Sequence, residues 1–135
     1  MDNLIVRLKG HLAKNPKVRL ALLFGSYATG KANESSDLDL AVAYQQPLEL
    51  DERIDLAQDI SALLNKEIDL IDLRAASGVL LQQIIANRKT LVNHDPELYG
   101  NFIAKQVTEA ADFMPLYDAI LRAKRDRFIN GQKGS

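Results

Sequence analysis

Hydrophobic and polar positions follow two different periods along the chain, and together they predict a mixture of helices and strands. Helical spacing of apolar residues predicts helices over residues 3–14 and 51–64. A third helix is predicted from Ser77, which can cap it, to about Asn87. Alternating or almost continuously apolar runs predict four strands, over residues 17–24, 37–44, 67–73 and 90–92. The last strand is short and is expected at an edge of the sheet.

A small, polar stretch over residues 25–36, with the sequence GSYATGKANESS, separates the first two strands. Gly25 ends a buried strand, and its missing side chain lets the backbone come close to a ligand. Ser26 then opens what is predicted to be a single helical turn, whose free amide groups can bind phosphate. An ordinary Gly-Ser turn is the alternative. The stretch lacks the Gly-Lys-Ser/Thr ending of a Walker loop, so that class of phosphate site is excluded.

Two carboxylates stand at the start of the second strand. Asp37 and Asp39 are two residues apart, so in a strand they project from the same face. Like charges held this close repel and raise the pKa of each carboxyl unless a cation lies between them. Carboxylate oxygens favour hard cations such as Mg²⁺ or Mn²⁺. The alternative is that both acids simply face solvent.

A third acid in the strand over residues 67–73 can complete such a metal site. Asp69 and Asp72 lie on opposite faces of that strand, and either can belong to the site. We favour Asp69, because Asp72 lies near the end of the strand, where we expect it to reach solvent.

Beyond residue 95 a helical pattern runs to about residue 129, with Pro115 as a kink or a restart. A core of four short strands cannot cover so long an apolar stripe, so part of it is expected to bind a partner. The alternative is that the helix bends at Pro115 and packs on its own domain. We therefore predict one domain with a core over residues 1–95 and a C-terminal docking arm over residues 96–135.

The composition of the chain excludes several classes of site and partner. The 135 residues include no cysteine, which excludes disulfide scaffolds, cysteine-ligated metals and thiol nucleophiles. A formal net charge of -1 gives no overall attraction to nucleic acid or to a membrane, and neither is expected as a partner. No run of apolar residues is long enough to cross a bilayer, so we expect a cytoplasmic protein.

The combined pattern resembles the nucleotidyltransferase superfamily related to DNA polymerase beta. That pattern is Gly25-Ser26, ten further residues, Asp37-x-Asp39 and a later strand carrying Asp69. The stretch LFGSYATGKANESSDLDLAV is similar to the minimal nucleotidyltransferases, the antitoxin halves of HEPN/MNT toxin–antitoxin pairs. The resemblance covers roughly residues 17–92. It implies an α+β fold with a mixed four-stranded sheet flanked by helices, to which this chain adds its long C-terminal helical arm.

The resemblance also implies a reaction, the transfer of AMP from ATP to a tyrosine of a partner HEPN ribonuclease toxin. Asp37, Asp39 and Asp69 would hold two Mg²⁺ ions, with Mn²⁺ as a possible substitute, for in-line attack on the α-phosphate and release of pyrophosphate. Gly25 and Ser26 would hold the phosphates of ATP, and Asp69 could also accept the proton of the acceptor hydroxyl. Two alternatives stay open: neutralisation of the partner by binding alone, or transfer to a small molecule such as an aminoglycoside.

Overall fold

The computed structural model of the chain describes residues 2–111. Its elements up to the last strand are α1 (Asp2–Ala13), β1 (Leu20–Phe24), α2 (Ser26–Thr29), β2 (Leu38–Ala43), α3 (Leu50–Leu64), β3 (Ile68–Asp72), a 3₁₀ turn (Leu73–Ala75), α4 (Gly78–Ala86) and β4 (Lys89–Asn93). A further helix, α5, covers residues 96–111. Every predicted element within the described residues is therefore present; the first three strands are shorter than predicted, whereas β4 extends one residue beyond the predicted limits at each end.

The four strands form one sheet in the order β3-β2-β1-β4. Strand β1 is antiparallel to both β2 and β4, whereas β2 and β3 run parallel. The prediction of a mixed four-stranded sheet is confirmed, and β4 lies at an edge as expected. None of the helices in the described part of the chain is long and apolar enough to cross a membrane.

The two faces of the sheet pack against different helices, and the alternation along β2 determines which side chains each face receives. Leu38, Leu40 and Val42 point into a core with residues of α1 and α3. Ala41 and Ala43 point into a second core, with residues of α4 and α5. Because side chains alternate along a strand, Asp39 shares the face of Ala41 and Ala43.

Helix α4 begins after Ser77, which occupies the N-cap position as predicted, but its side chain does not cap the helix. The Ser77 side chain makes no capping hydrogen bond, and the backbone N–H of Gly78 instead donates to the Oε2 of Glu109 at 2.7 Å. A carboxylate also suits the positive end of the helix dipole, so α5 takes over the role of the cap.

Helix α5 packs on the same sheet face as α4. Phe102 is buried in the second core, and the Nζ of Lys105 donates to the carbonyl of Ala76 at 3.1 Å. The beginning of the predicted arm therefore contributes to the core of the domain. The predicted kink at Pro115 and the basic end of the chain lie outside the described residues.

Candidate active site

The predicted acids meet at the point where β2 and β3 both begin. Asp39 of β2 is paired in register with Asp69 of β3, and on its other side with Phe24 of β1. Burial raises the pKa of Asp39 above its ordinary value, and the negative charges of Asp69 and Asp37 raise it further. The structure thus places two other acids close enough to disfavour the charged form of Asp39, the electrostatic condition that a bound cation relieves.

Gly25 closes one side of this acid pair. It has a φ of 71°, and a Cβ atom placed there would collide with the Oδ2 of Asp39 and lie 3.0 Å from its Cγ. Only glycine fits between β1 and the carboxylate without displacing it. The short helix α2 starts at the next residue, Ser26. The first amide groups of a helix have no partner within it, so they are free to meet a phosphate beside the acids.

Asp37 lies immediately before β2, at the end of a loop held in place by Lys66. The Nζ of Lys66 donates to the carbonyl oxygens of Glu34 at 2.9 Å and of Ser36 at 3.1 Å. It also lies 5.3 Å from the centre of the Tyr27 ring in α2. One cation therefore connects the loop that carries Asp37 to the helical turn that follows Gly25.

Asp72 takes no part in this group of acids. Its two oxygens accept backbone hydrogen bonds at 3.0 Å each, from Leu48 ahead of α3 and from Arg74 in the 3₁₀ turn. It lies on the opposite face of β3 from Asp69. The expectation that Asp72 reaches solvent is wrong, because only 9% of it is exposed. Its two oxygens are used inside the fold, where they satisfy two amide donors.

The acids suit a hard divalent cation in chemistry. Their donors are carboxylate oxygens, and the missing side chain of Gly25 leaves room for the carboxylate of Asp39. Within residues 2–111, however, no three acidic or histidine side chains lie close enough together to enclose an ion. Asp39 is close to each of the other two acids, and a cage that includes Asp37 as well as Asp69 requires these side chains to turn inward.

A cavity of about 420 Å³ opens directly on the acid pair. Gly25, Asp39 and Asp69 line one side of it, and residues of α4 line the other. Its size is in the usual range for a small-molecule site. The cavity therefore offers room for reacting groups next to the carboxylates.

Comparison with known proteins agrees with this geometry. The family described as polymerase beta, nucleotidyltransferase, matches residues 7–97 of the chain. The chain belongs to this nucleotidyltransferase family. The matched residues include all four strands and Asp37, Asp39, Asp69 and Asp72, so the nucleotidyltransferase assignment covers the whole candidate site.

Individual relatives of this nucleotidyltransferase point to a narrower group than the family match does. Protein adenylyltransferase MntA of Shewanella oneidensis is 41% identical over 102 residues, which are 73% of this chain and 71% of the relative. A chain of a toxin–antitoxin crystal structure with AMP-PNP has a TM-score of 0.68 and 34% identity, covering 89% of this chain and 98% of its own. A chain from the complex of a tri-AMPylated Shewanella oneidensis HEPN toxin with its MNT antitoxin has a TM-score of 0.66 and 32% identity, covering 90% and 99%.

Sequence reasoning missed three residues at the site of this nucleotidyltransferase. Lys66 holds the loop before Asp37. In the sequence it is a single basic residue just ahead of an acidic strand, and this position alone hardly marks it as a site residue. Gln83 and Asn87 line the cavity from α4. In the sequence they are polar interruptions of an apolar helix, four residues apart, and such a spacing could have been noticed as one face.

Proposed function

We propose that this nucleotidyltransferase transfers AMP from ATP to a tyrosine of a HEPN-type toxin and is the antitoxin of that pair. The observation that carries the proposal is the pairing of Asp39 with Asp69 beside Gly25, in a chain similar to a protein adenylyltransferase. The similarity to an antitoxin chain bound to an AMPylated HEPN toxin supports the choice of acceptor. We place this reaction in the cytoplasm.

In this proposal Asp37, Asp39 and Asp69 hold magnesium, in two ions, with manganese as a substitute. Bound divalent ions would supply activation of the acceptor hydroxyl and neutralisation of the charge on the leaving pyrophosphate. The carboxylates would hold these ions where the α-phosphate meets the acceptor, and Gly25 and Ser26 hold the remaining phosphates. Asp69, the most exposed of the paired acids, accepts the acceptor proton.

The proposal assigns partner binding to the C-terminal arm over residues 96–135. Helix α5 is anchored by Phe102, yet its Val107 is 59% exposed on the described part of the arm. An anchored helix with an exposed apolar position offers a rigid surface for another protein. Truncation after residue 112 should weaken the complex with the toxin, and unchanged affinity would contradict this assignment.

The decisive experiment incubates the protein with magnesium, α-labelled ATP and a HEPN-type toxin, for which the product of the adjacent gene is the first candidate. Label is expected on a tyrosine of the toxin, with loss of its ribonuclease activity, and Asp39→Asn should abolish both effects. Toxin neutralisation that is undiminished by Asp39→Asn would show inhibition by binding alone. In a parallel incubation with an aminoglycoside, label on that compound and none on the toxin would show a small-molecule transferase.

A further inference from the structure

The face of α4 that lines the cavity differs from the rest of the helix. Leu80, Gln83 and Asn87 follow one another at spacings of three and four residues, so they share one side of the helix. Leu80 is 38% exposed, and Gln83 and Asn87 are also exposed. The adjacent face, with Leu81, Ile84 and Ile85, is buried in the core. The exposed stripe therefore faces the acid pair on a firmly anchored helix.

The charge of this wall does not suit the triphosphate of ATP. Of the described residues that line the cavity, none is a lysine or an arginine. Helix α4 also ends here, at Ala86 with Asn87 as its cap, and the C-terminal end of a helix carries partial negative charge. Phosphates are favoured at the opposite end of a helix, as at Ser26. The wall formed by α4 is thus suited to a neutral group.

The remaining chemistry of the wall matches a phenol. Leu80 and Ile71 provide apolar surface on which an aromatic ring can pack. The amides of Gln83 and Asn87 offer both donors and acceptors for a hydroxyl group or for the peptide backbone beside it. Asp69 lies on the same cavity, at the carboxylate end.

We propose that Leu80, Gln83 and Asn87 form the acceptor subsite, which receives the side chain of the tyrosine to be modified and directs its hydroxyl toward Asp69. This inference rests on the proposed function. In the reaction the phenolic oxygen bonds to the α-phosphorus, the bond from that phosphorus to the bridging oxygen breaks, and pyrophosphate leaves. The phenolic proton passes to Asp69.

The kinetic test compares Gln83→Ala with Gln82→Ala, because Gln82 is an exposed glutamine of the same helix that does not line the cavity. Gln83→Ala should raise the KM for the toxin about fivefold to tenfold, as expected for one or two lost hydrogen bonds, and leave the KM for ATP within about twofold. Gln82→Ala should change neither value. An unchanged KM for the toxin in Gln83→Ala would overturn the proposal, and a raised KM for ATP would assign this wall to adenine.

A binding test decides the same question without turnover or toxin. N-acetyl-tyrosinamide is added to the protein in the presence of magnesium and a non-hydrolysable ATP analogue, and the side-chain amide resonances are followed by NMR. The Gln83 and Asn87 signals should shift, and the Gln82 signal should not. Unshifted Gln83 and Asn87 signals would overturn the subsite. If the wild-type protein fails to label the toxin, the proposed function fails, and this measurement still tests the subsite.

Discussion

Asp39 and Asp69 occupy matched positions on two adjacent parallel strands, so the hydrogen-bonded ladder itself holds their carboxylates side by side. The pairing is a property of the sheet, and neither acid can move away by a loop rearrangement alone. Burial and the neighbouring acids raise the pKa of Asp39. The fold therefore keeps an unfavourable charge pair in place, as expected where a cation is to bind.

Asp39→Asn should stabilise the protein in metal-free buffer near neutral pH, as measured by thermal and urea unfolding. Because the pKa of Asp39 is raised in the folded state, its favourable contribution is complete below the ordinary aspartate pKa and is lost as pH rises through the raised value. Wild type should lose this increment on going from acid to neutral pH, and the variant should not. Asp39 is only half-buried, so solvent screening should keep the gain below about 1 kcal/mol.

The same unfolding measurements provide a control with magnesium. Added Mg²⁺ should raise the melting temperature of wild type by binding the native state, whereas Asp39→Asn should gain much less. An equal gain in both proteins would place the ion away from Asp39.

Asp69→Asn and Asp72→Asn should separate activity from stability. Asp69→Asn should reduce AMP transfer by at least about a hundredfold with little loss of stability, because the proposed reaction uses this carboxylate to hold magnesium and to accept the acceptor proton. Asp72→Asn should keep its activity per folded molecule but lose about 1–3 kcal/mol, since an amide cannot accept from both backbone donors of Leu48 and Arg74. Urea unfolding and labelled-ATP assays measure the two effects, and a reversed pattern would make Asp72 the third site acid.

The sequence was sufficient to predict the order of elements and the local positions of Gly25, Ser26, Asp37 and Asp39, because each depends on local period or spacing, while their binding of metal and phosphate stays a prediction. The sequence also favoured Asp69 over Asp72, but it did so because Asp72 was expected to reach solvent, and Asp72 is buried. The actual distinction is register: β3 pairs with β2 so that Asp69 meets Asp39. Register between strands 30 residues apart is fixed by packing on both sheet faces, and no local pattern records it.

The contacts of Lys66 and the side of α4 that lines the cavity could not be predicted from the sequence, because they too depend on tertiary packing. An exposed polar residue has no hydrophobic period to mark its direction. Lys66 and Gln83 acquire their roles only when the chain brings distant segments to one place. The site is thus predictable where it follows a motif and unpredictable where it follows tertiary packing.

Lys66→Met should weaken the site through the loop that carries Asp37. The ammonium group of Lys66 makes two charge-assisted hydrogen bonds to the carbonyls of Glu34 and Ser36. Without them the loop must be ordered by the metal, so the Mg²⁺ concentration for half-maximal transfer should rise about tenfold. Lys66→Arg should restore most of the affinity, and Lys9→Met, an exposed substitution on α1, should have no effect. An unchanged Mg²⁺ requirement in Lys66→Met would show that the loop needs no such support.

Gly25→Ala tests the close approach between backbone and carboxylate, with Gly30→Ala as a control for a positive φ. The two glycines have φ values of 71° and 76°, but Gly30 is left-handed helical with a ψ of 14°, whereas Gly25 has a ψ of -153°, in a region open essentially only to glycine. Alanine therefore carries more backbone strain at Gly25 than at Gly30. A Cβ at Gly30 meets open space, whereas one at Gly25 collides with the carboxylate of Asp39. Gly25→Ala should therefore lose at least about a hundredfold in AMP transfer, as expected when reacting groups are displaced, while Gly30→Ala stays active per folded molecule.

Combining Gly25→Ala with Asp39→Ala isolates the collision itself. If the carboxylate is what the new methyl group meets, removing it should recover part of the stability lost in Gly25→Ala, and the two substitutions should be non-additive. Asp39→Ala combined with Gly30→Ala should be additive, because nothing lies near a Cβ at Gly30. Urea unfolding of the five variants and the wild type measures both couplings. Additive behaviour in the Gly25 pair would show that strain alone explains the glycine, and the phosphate site would then lose its structural link to the acids.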